Sequence, residues 1–404
     1  MALPQRVLLT WELGDNLGHI AKLLKIGEEL SGRGAKVFLA LQNLAGVATV
    51  LGTTPVTVLA APYAKVKPPR TARPVLTYAD DLRPCGYDDP RELAVLIKAW
   101  QNLFDLVRPD MMIANSSPTA LLAARPYPFK KMAVGLGYEV PVLSTPMPPL
   151  RYWEKQNPDV IATHEASVVE VINEALRFLG QGQISSIAEM LKVDREFVST
   201  FAELDHYGVR APEIYSGPFF VADRGKDVAW PEQVEGRKRI FAYLSHGRDF
   251  EALLNALSSL APRHDVMVVA RRLPEEIAAK LRTGGMQVFT EAVRIDQITQ
   301  DCNLCITHGG TGTFIQFLLA GAAQLIVPNH IEQMMVAKRV EALGAGRVGQ
   351  PNGSGEAAQA LICEVLDTPR YAEAARIWAA RHAGYSVVAQ TRQIVDQLSA
   401  DDFA

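Results

Sequence analysis

The stretch RVLLTWELGDNLGHIAKLLKIGEELSGRGAKVFLAL, Arg6 to Leu41, decides the fold. Arg6 to Trp11 opens it with a continuous apolar run, which is what a strand covered on both faces requires. A glycine-bearing loop follows, from Gly14 to His19. Ile20, Leu23, Leu24, Gly27 and Leu30 then recur at helical spacing up to Ser31. Gly32 and Gly34 end that helix, and Val37 to Leu41 reads as the next buried strand. Strand, helix and strand of this kind predict a parallel sheet with helices on its faces.

The rhythm continues outward. Val56 to Leu59 reads as a strand, Arg91 to Val107 as a helix and Met111 to Ala114 as a strand. Lys65 to Pro90, rich in Pro, Arg and Asp, reads as a surface excursion. Between Pro141 and Leu204 the alternation gives way to amphipathic helices, Thr163 to Leu179 and Ile184 to Lys192. These serve either as a substrate wall or as plain structure. Ser216 to Gly236, with its Pro, Gly and mixed charge, reads as a linker. The sheet pattern then restarts with strand Arg239 to Leu244, helix Phe250 to Leu260, strand Val266 to Ala270 and helix Pro274 to Leu281. Val288-Phe289, strand Leu304 to Thr307, helix Thr313 to Ala320, strand Leu325 to Val327 and helix Met334 to Leu343 complete it. The expectation is an α/β chain of two Rossmann-like, doubly wound domains facing each other across a cleft, with ligands at the C-terminal ends of the strands. The first spans 1–218 and the second 237–383, and a last helix at about 384–400 packs back on the first.

At 404 residues two domains are the natural prior. A formal charge of −3, with no basic tract, argues against nucleic acid and anionic membrane as partners. The N-terminal apolar run is too short for a signal segment or a spanning helix, which points to the cytoplasm. Cys85, Cys302, Cys305 and Cys363 make no disulfide framework. Cys302 and Cys305 do fit C-x-x-C, but they lead into a buried strand rather than a helix start, so they read as core thiols.

Thr307-His-Gly-Gly-Thr-Gly-Thr-Phe314 lies between a buried strand and an amphipathic helix. Its three glycines let the backbone turn sharply and approach a ligand. The helix start offers unpaired N–H groups and the positive end of the dipole, together an anion site. Thr311 and Thr313 add hydroxyls, and His308 can donate to a phosphate oxygen. On these residues alone, a glycine turn also serves as a plain connection in any α/β protein. The loop is neither a Walker A nor a dinucleotide G-x-G-x-x-G. After the next strand, Glu332 and Gln333 set a carboxylate beside an amide, which suits a polyol needing both acceptors and donors.

Thr307-His-Gly-Gly-Thr-Gly-Thr313, Ala320-Gly-Ala-Ala323, Pro328-Asn-His-Ile-Glu-Gln333, Ala337 and Gly344-Ala-Gly346 together resemble a known signature. It is the donor site of family 1 nucleotide-sugar glycosyltransferases of the GT-B fold, in their bacterial natural-product branch. The resemblance is strong across about 290–350 and weaker from residue 6 to 400. It implies that His308 and the turn Gly309, Gly310, Thr311, Gly312 and Thr313 bind the diphosphate of a UDP- or dTDP-sugar. Glu332, in place of the commoner Asp, and Gln333 would hold sugar hydroxyls. The backbone near Val293 would meet the base, and Ser245 would lie by the phosphates. Ala292-Val-Arg294 lacks the tryptophan that many relatives stack on the base. Gln316 stands where uridine-using relatives usually carry Glu. An amide has one acceptor oxygen, enough for a deoxyribose, so both nucleotides stay open.

His19 after Gly18, taken alone, is more often a helix-cap residue than a base. By the resemblance it is the general base that deprotonates an acceptor hydroxyl, a task suited to imidazole. The family often pairs that histidine with an Asp about a hundred residues on. Here the corresponding residue is Asn115, which can orient the ring but not balance its charge. Either another carboxylate serves, with Asp15 near in sequence, or orientation suffices. No D-x-D triplet occurs, which argues against a Mg²⁺-dependent mechanism, and the resemblance implies a metal-independent, inverting hexosyl transfer without cofactor. The alternatives are a binding protein that has lost turnover, favoured by Asn115 and Gln316, and an epimerase of the same fold. Expected partners are the nucleotide sugar and a small acceptor, with the chain a monomer or homodimer and without an integral membrane segment. Pro146 to Trp153 suits a lipophilic acceptor, although core packing explains the same residues.

Overall fold

The computed structural model describes residues 4–14, 17–47, 55–66, 74–220 and 225–398. The chain forms two compact units, Met1–Phe219 with Ser386–Ala404, and Phe220–Tyr385.

The first unit is built on a six-stranded parallel sheet. Its strands are β1 (Arg6–Trp11), β2 (Lys36–Leu41), β3 (Thr57–Ala60), β4 (Met111–Asn115), β5 (Lys130–Gly135) and β6 (Arg195–Val198). They lie in the order β3-β2-β1-β4-β5-β6, with Leu9 opposite Leu39 on one side and Ile113 on the other. Alternate residues of β1 feed different cores, because side chains of a strand point to opposite faces. Leu8 joins Leu93, Ile97, Trp100 and Phe104 of the helix Pro90–Val107. Val7, Leu9 and Trp11 join Ile20, Leu23 and Ile26 of the helix Leu17–Gly32. Asp89 caps the helix Pro90–Val107 by accepting from the amides of Arg91 and Glu92, and Pro90 fills its first position. Val387–Asp396 packs on the helix Leu17–Gly32 through Ile394 and Val395, and Arg33 Nη1 meets Asp396 Oδ1 at 2.5 Å.

The second unit repeats the plan with β7 (Arg239–Tyr243), β8 (Asp265–Val269), β9 (Gln287–Phe289), β10 (Leu304–Thr307), β11 (Ala323–Ile326) and β12 (Gly346–Val348). Their order, β12-β11-β10-β7-β8-β9, is the same doubly wound one. Each sheet therefore reverses direction at one point, between β1 and β4 in the first unit and between β7 and β10 in the second. The crevice at the C-terminal ends of those strands is the ligand position of such folds.

Several sequence expectations change. The Lys65–Pro90 excursion is not all surface: Tyr78, Ala79, Leu82 and Tyr87 are core residues, and residues 67–73 lie outside the described residues. Pro158–Phe178 forms one helix of 21 residues, longer than its periodicity marked. The linker region divides: Ser216 donates its amide to Val198 O at the edge of the first sheet, whereas Lys226 exchanges backbone hydrogen bonds with Ala292 and Arg294, and Trp230 Nε1 donates to Ile298 O at 2.9 Å. The glycine-turn helix runs Thr311–Leu319, starting two residues before its apolar pattern. Cys302 and Cys305 are buried, and burial pushes the Cys302 thiol up to about 12, so no reactive thiolate forms there. No helix among the described residues is long and apolar enough to cross a membrane. Among them, too, no group of three or more His, Cys, Asp or Glu is gathered as for a metal ion.

Candidate active site

At the first switch point, β1 runs into Glu12-Leu13-Gly14 and β4 ends in Asn115. The amide of Leu13 donates to Ser116 O at 2.9 Å, which ties the two loops together. His19, in the first turn of the helix Leu17–Gly32, stacks on Trp11 with ring centroids 5.3 Å apart. Its Nδ1 lies 2.8 Å from Asn115 Oδ1. The amide orientation of Asn115 follows from its other contacts. Its Nδ2 donates to Val134 O and to Glu139 Oε2, both at 2.7 Å. Oδ1 is therefore the atom facing the imidazole, Nδ1 carries the proton, and Nε2 keeps its lone pair. A Cβ on Gly14, which has φ of +97°, would stand 2.6 Å from Nε2. Glycine is needed there both for the backbone and for the ring.

Glu139 is the residue that sequence reasoning missed. Its Oε1 is 3.3 Å from His19 Nδ1. Its Oε2 accepts from Lys22 Nζ at 2.8 Å and from the Leu136 amide at 2.9 Å, besides Asn115. The side chains of His19, Lys22 and Glu139 are only 7%, 5% and 9% exposed, so the charges act through protein rather than water. Burial opposes ionisation of Glu139, but Lys22, His19 and the Leu136 amide outweigh it and hold the carboxyl at about 2. Asp15, the carboxylate that sequence proximity suggested, lies outside the described residues. Gly135 makes room for Glu139 in the fold, since a Cβ there would collide with Glu139 Cβ and Oε2 at 2.6 Å.

The second switch point gathers the other candidates. Gly310 occupies the N-cap of the helix Thr311–Leu319, whose first amides, at Thr311 and Gly312, lack helical partners, whereas the Thr313 amide, expected to face a diphosphate, donates to Gly310 O at 3.0 Å. Gly309 has φ of +102°, and a Cβ there would sit 3.2 Å from Gln333 Cβ and 3.3 Å from Ile326 Cγ2. His308 follows β10 beside Tyr243. Burial, and then the neighbouring His330, lower its pKa, so it is a neutral hydrogen-bonding group near pH 7. Ser245 follows β7, and its Oγ accepts from Asn329 Nδ2 at 2.9 Å. Gly247 makes room for that contact, since a Cβ there would lie 2.3 Å from Asn329 Oδ1. Tyr243, Ser245, Asp249, His308 and Asn329 line a small hollow. Asn329 was not among the sequence candidates.

Glu332 and Gln333 lie in the first turn of the helix Ile331–Ala342. Gln333 Oε1 accepts from the Asn329 amide at 2.9 Å, which fixes the loop and leaves its NH2 as a donor. Gln316, nearly buried, donates Nε2 to Gly312 O at 2.5 Å, so its single oxygen is the group left to accept. Val293 pairs with Lys226 as an isolated parallel bridge. Ala292 O and Arg294 N make the bonds to Lys226, and Val293's own N–H and C=O point the other way. Of the apolar stretch Pro146–Trp153, Met147 and Leu150 are core residues. Pro146 borders a cavity of mixed lining, with Glu165, Asn173 and Arg177 beside Ala162, Ala166 and Val169.

Comparisons with known proteins bear on the fold. Residues 261–394 match the family model described as erythromycin biosynthesis protein CIII-like, C-terminal domain. No curated protein matches the chain by sequence. Among solved structures, the calicheamicin glycosyltransferase CalG4 superposes with a TM-score of 0.69 at 15% identity, over 98% of this chain and 97% of that one. The spinosyn rhamnosyltransferase SpnG gives 0.65 at 14% identity, over 97% and 100%. The glycosyltransferase VinC in complex with dTDP gives 0.62 at 14% identity, over 97% and 99%.

Proposed function

We propose that this chain, which has the GT-B fold of bacterial natural-product glycosyltransferases and an EryCIII-like C-terminal domain, is itself such a glycosyltransferase. It moves a hexosyl group from a nucleoside-diphosphate sugar to a hydroxyl of a small acceptor of the aglycone kind. The observation that carries this reading is the pair of chemically matched switch points: an imidazole with a free Nε2 lone pair in one unit, and a glycine-built anion turn in the other.

The acceptor O–H gives its proton to His19 Nε2. Its oxygen forms the new bond to the anomeric carbon, and the bond from that carbon to the diphosphate oxygen breaks with inversion. The leaving diphosphate carries the electron pair away. The amides of Thr311 and Gly312, the threonine hydroxyls and His308 receive its charge, which a helix N-terminus stabilises without a metal. Asn329 and Ser245 border the same hollow. Glu332 accepts from sugar hydroxyls while the Gln333 NH2 donates to them.

The donor nucleotide is assigned to thymidine rather than uridine. Gln316 donates one N–H to Gly312 O and has one acceptor oxygen, which matches the one free hydroxyl of a deoxyribose. VinC, and SpnG in a further structure, hold thymidine diphosphate. Competition by dTDP and UDP for a labelled donor analogue tests the site, with dTDP expected to bind tighter. Equal, weak binding of both would sink the sugar-donor reading. His19→Ala is expected to abolish transfer while dTDP binding survives. Donor turnover by the wild-type protein separates this reading from a binding protein that has lost catalysis.

A further inference from the structure

We infer that Glu139 and Lys22 form a charge relay which, with Asn115, sets the basicity and tautomer of His19. The inference rests on the reading of His19 as the general base. Its support is geometric. One carboxylate oxygen faces Nδ1 at 3.3 Å. The other gathers Lys22 Nζ, Asn115 Nδ2 and the Leu136 amide within 2.9 Å. A carboxylate whose oxygens are divided between an imidazole and a lysine is more than a structural anchor.

Each member has a separable effect. Asn115, held by Val134 O and Glu139, accepts from Nδ1–H and keeps the reactive lone pair on Nε2. Glu139 supplies the negative charge that an amide lacks, and so stabilises the imidazolium formed when the acceptor proton arrives. Lys22 opposes it. By balancing the carboxylate's charge it weakens the pull of Glu139 on the imidazolium. Among the described residues, the charged groups packed on the ring and its partners are Glu139 and Lys22, with Asn115 and Trp11 as neutral neighbours. The chain spans four places in the sequence: the helix Leu17–Gly32, which carries His19 and Lys22, the end of β4, the backbone of β5 and the loop after β5. Gly135 is the clearance that lets the carboxylate reach inward.

Glu139 and Lys22 are positioning residues, and opposite charge effects distinguish them from scaffolding. The test compares wild type, Glu139→Gln, Lys22→Met and the double variant by two readouts. One is the pH profile of kcat/KM. The other is the NMR titration of the His19 ring in the free protein, assigned with His19→Ala. Glu139→Gln is expected to move the midpoint and the acid limb down by about one pH unit, and Lys22→Met to move them up by a similar amount. The double variant, which leaves no buried charge unpaired, is expected near wild type and guards against misfolding of either single variant. Midpoints that stay put, or that move the same way in both single variants, would overturn the relay. Midpoints that move as expected while the rate profile ignores them would support the relay and remove His19 as the base.

Discussion

Glu12→Gln is expected to change the pH dependence of stability rather than the stability at one pH. Glu12 follows β1 and is fully buried. Its Oε2 accepts from the amides of Thr119 and Ala120 at 2.9 and 3.3 Å, at the start of the short helix Pro118–Ala123. Its Oε1 has no hydrogen-bond partner among the described residues. Burial pushes its carboxyl from 4.5 up to about 8, against the lowering effect of the Thr119 and Ala120 contacts. A helix terminus favours an anion by about 0.3–2 kcal/mol, whereas stripping water from a carboxylate costs several kcal/mol, so desolvation wins. The folded chain therefore holds a proton that the unfolded chain releases between pH 4.5 and 8. The stabilisation is complete below pH 4.5 and is lost as pH rises through 8. A gap of roughly 3.5 pH units, at about 1.4 kcal/mol each, amounts to about 5 kcal/mol. Glutamine resembles the protonated acid and does not titrate. Urea or thermal unfolding at pH 5 should find the variant close to wild type. At pH 8.5 the variant should be more stable by a few kcal/mol, or roughly 10 °C in Tm for a unit of this size. Parallel stability curves for the two proteins would refute the reasoning and mean that the helix terminus holds Glu12 as an anion.

Three further outcomes are expected. Gly309→Ala strains a residue at φ of +102° and presses on Gln333, so calorimetry should find dTDP bound about tenfold more weakly, the equivalent of about 1–2 kcal/mol of strain. Gln316→Glu replaces the donor to Gly312 O with a second acceptor. One hydrogen bond of about 1 kcal/mol should then move the ratio of UDP to dTDP affinity several-fold toward UDP in competition assays. Gly14→Ala puts a methyl 2.6 Å from His19 Nε2, so transfer should fall to background while nucleotide affinity stays at the wild-type value.

The doubly wound plan was legible because its central strands β1, β2, β4, β7, β8 and β10 are continuous apolar runs, the mark of burial on both faces. The strands that escaped notice are those the pattern does not mark. β6 carries Arg195 and Glu196 at the sheet edge, β5 begins with two lysines, and β12 is Gly-Arg-Val. Missing β5 had a chemical consequence. Glu139 follows that strand and reaches Asn115 only because β5 lies beside β4, a neighbour relation that no local spacing in sequence encodes. The glycine turn at residues 309–312 was legible for the converse reason, since its geometry is local. The internal bond of Gln316 and the link from Asn329 to Ser245 depend on side-chain directions that follow only from the folded helix and loop.

The clearance at Gly135 extends to how this sequence can drift. A methyl at that position would stand 2.6 Å from the Cβ of residue 139 as well as from its carboxylate, so any side chain at 139 keeps 135 a glycine. Among diverging copies of this gene the glycine should therefore stay, while the acid at 139 changes together with Asn115 and Lys22. A lineage with an aspartate at 115 could give up the acid and the lysine and would still keep the glycine.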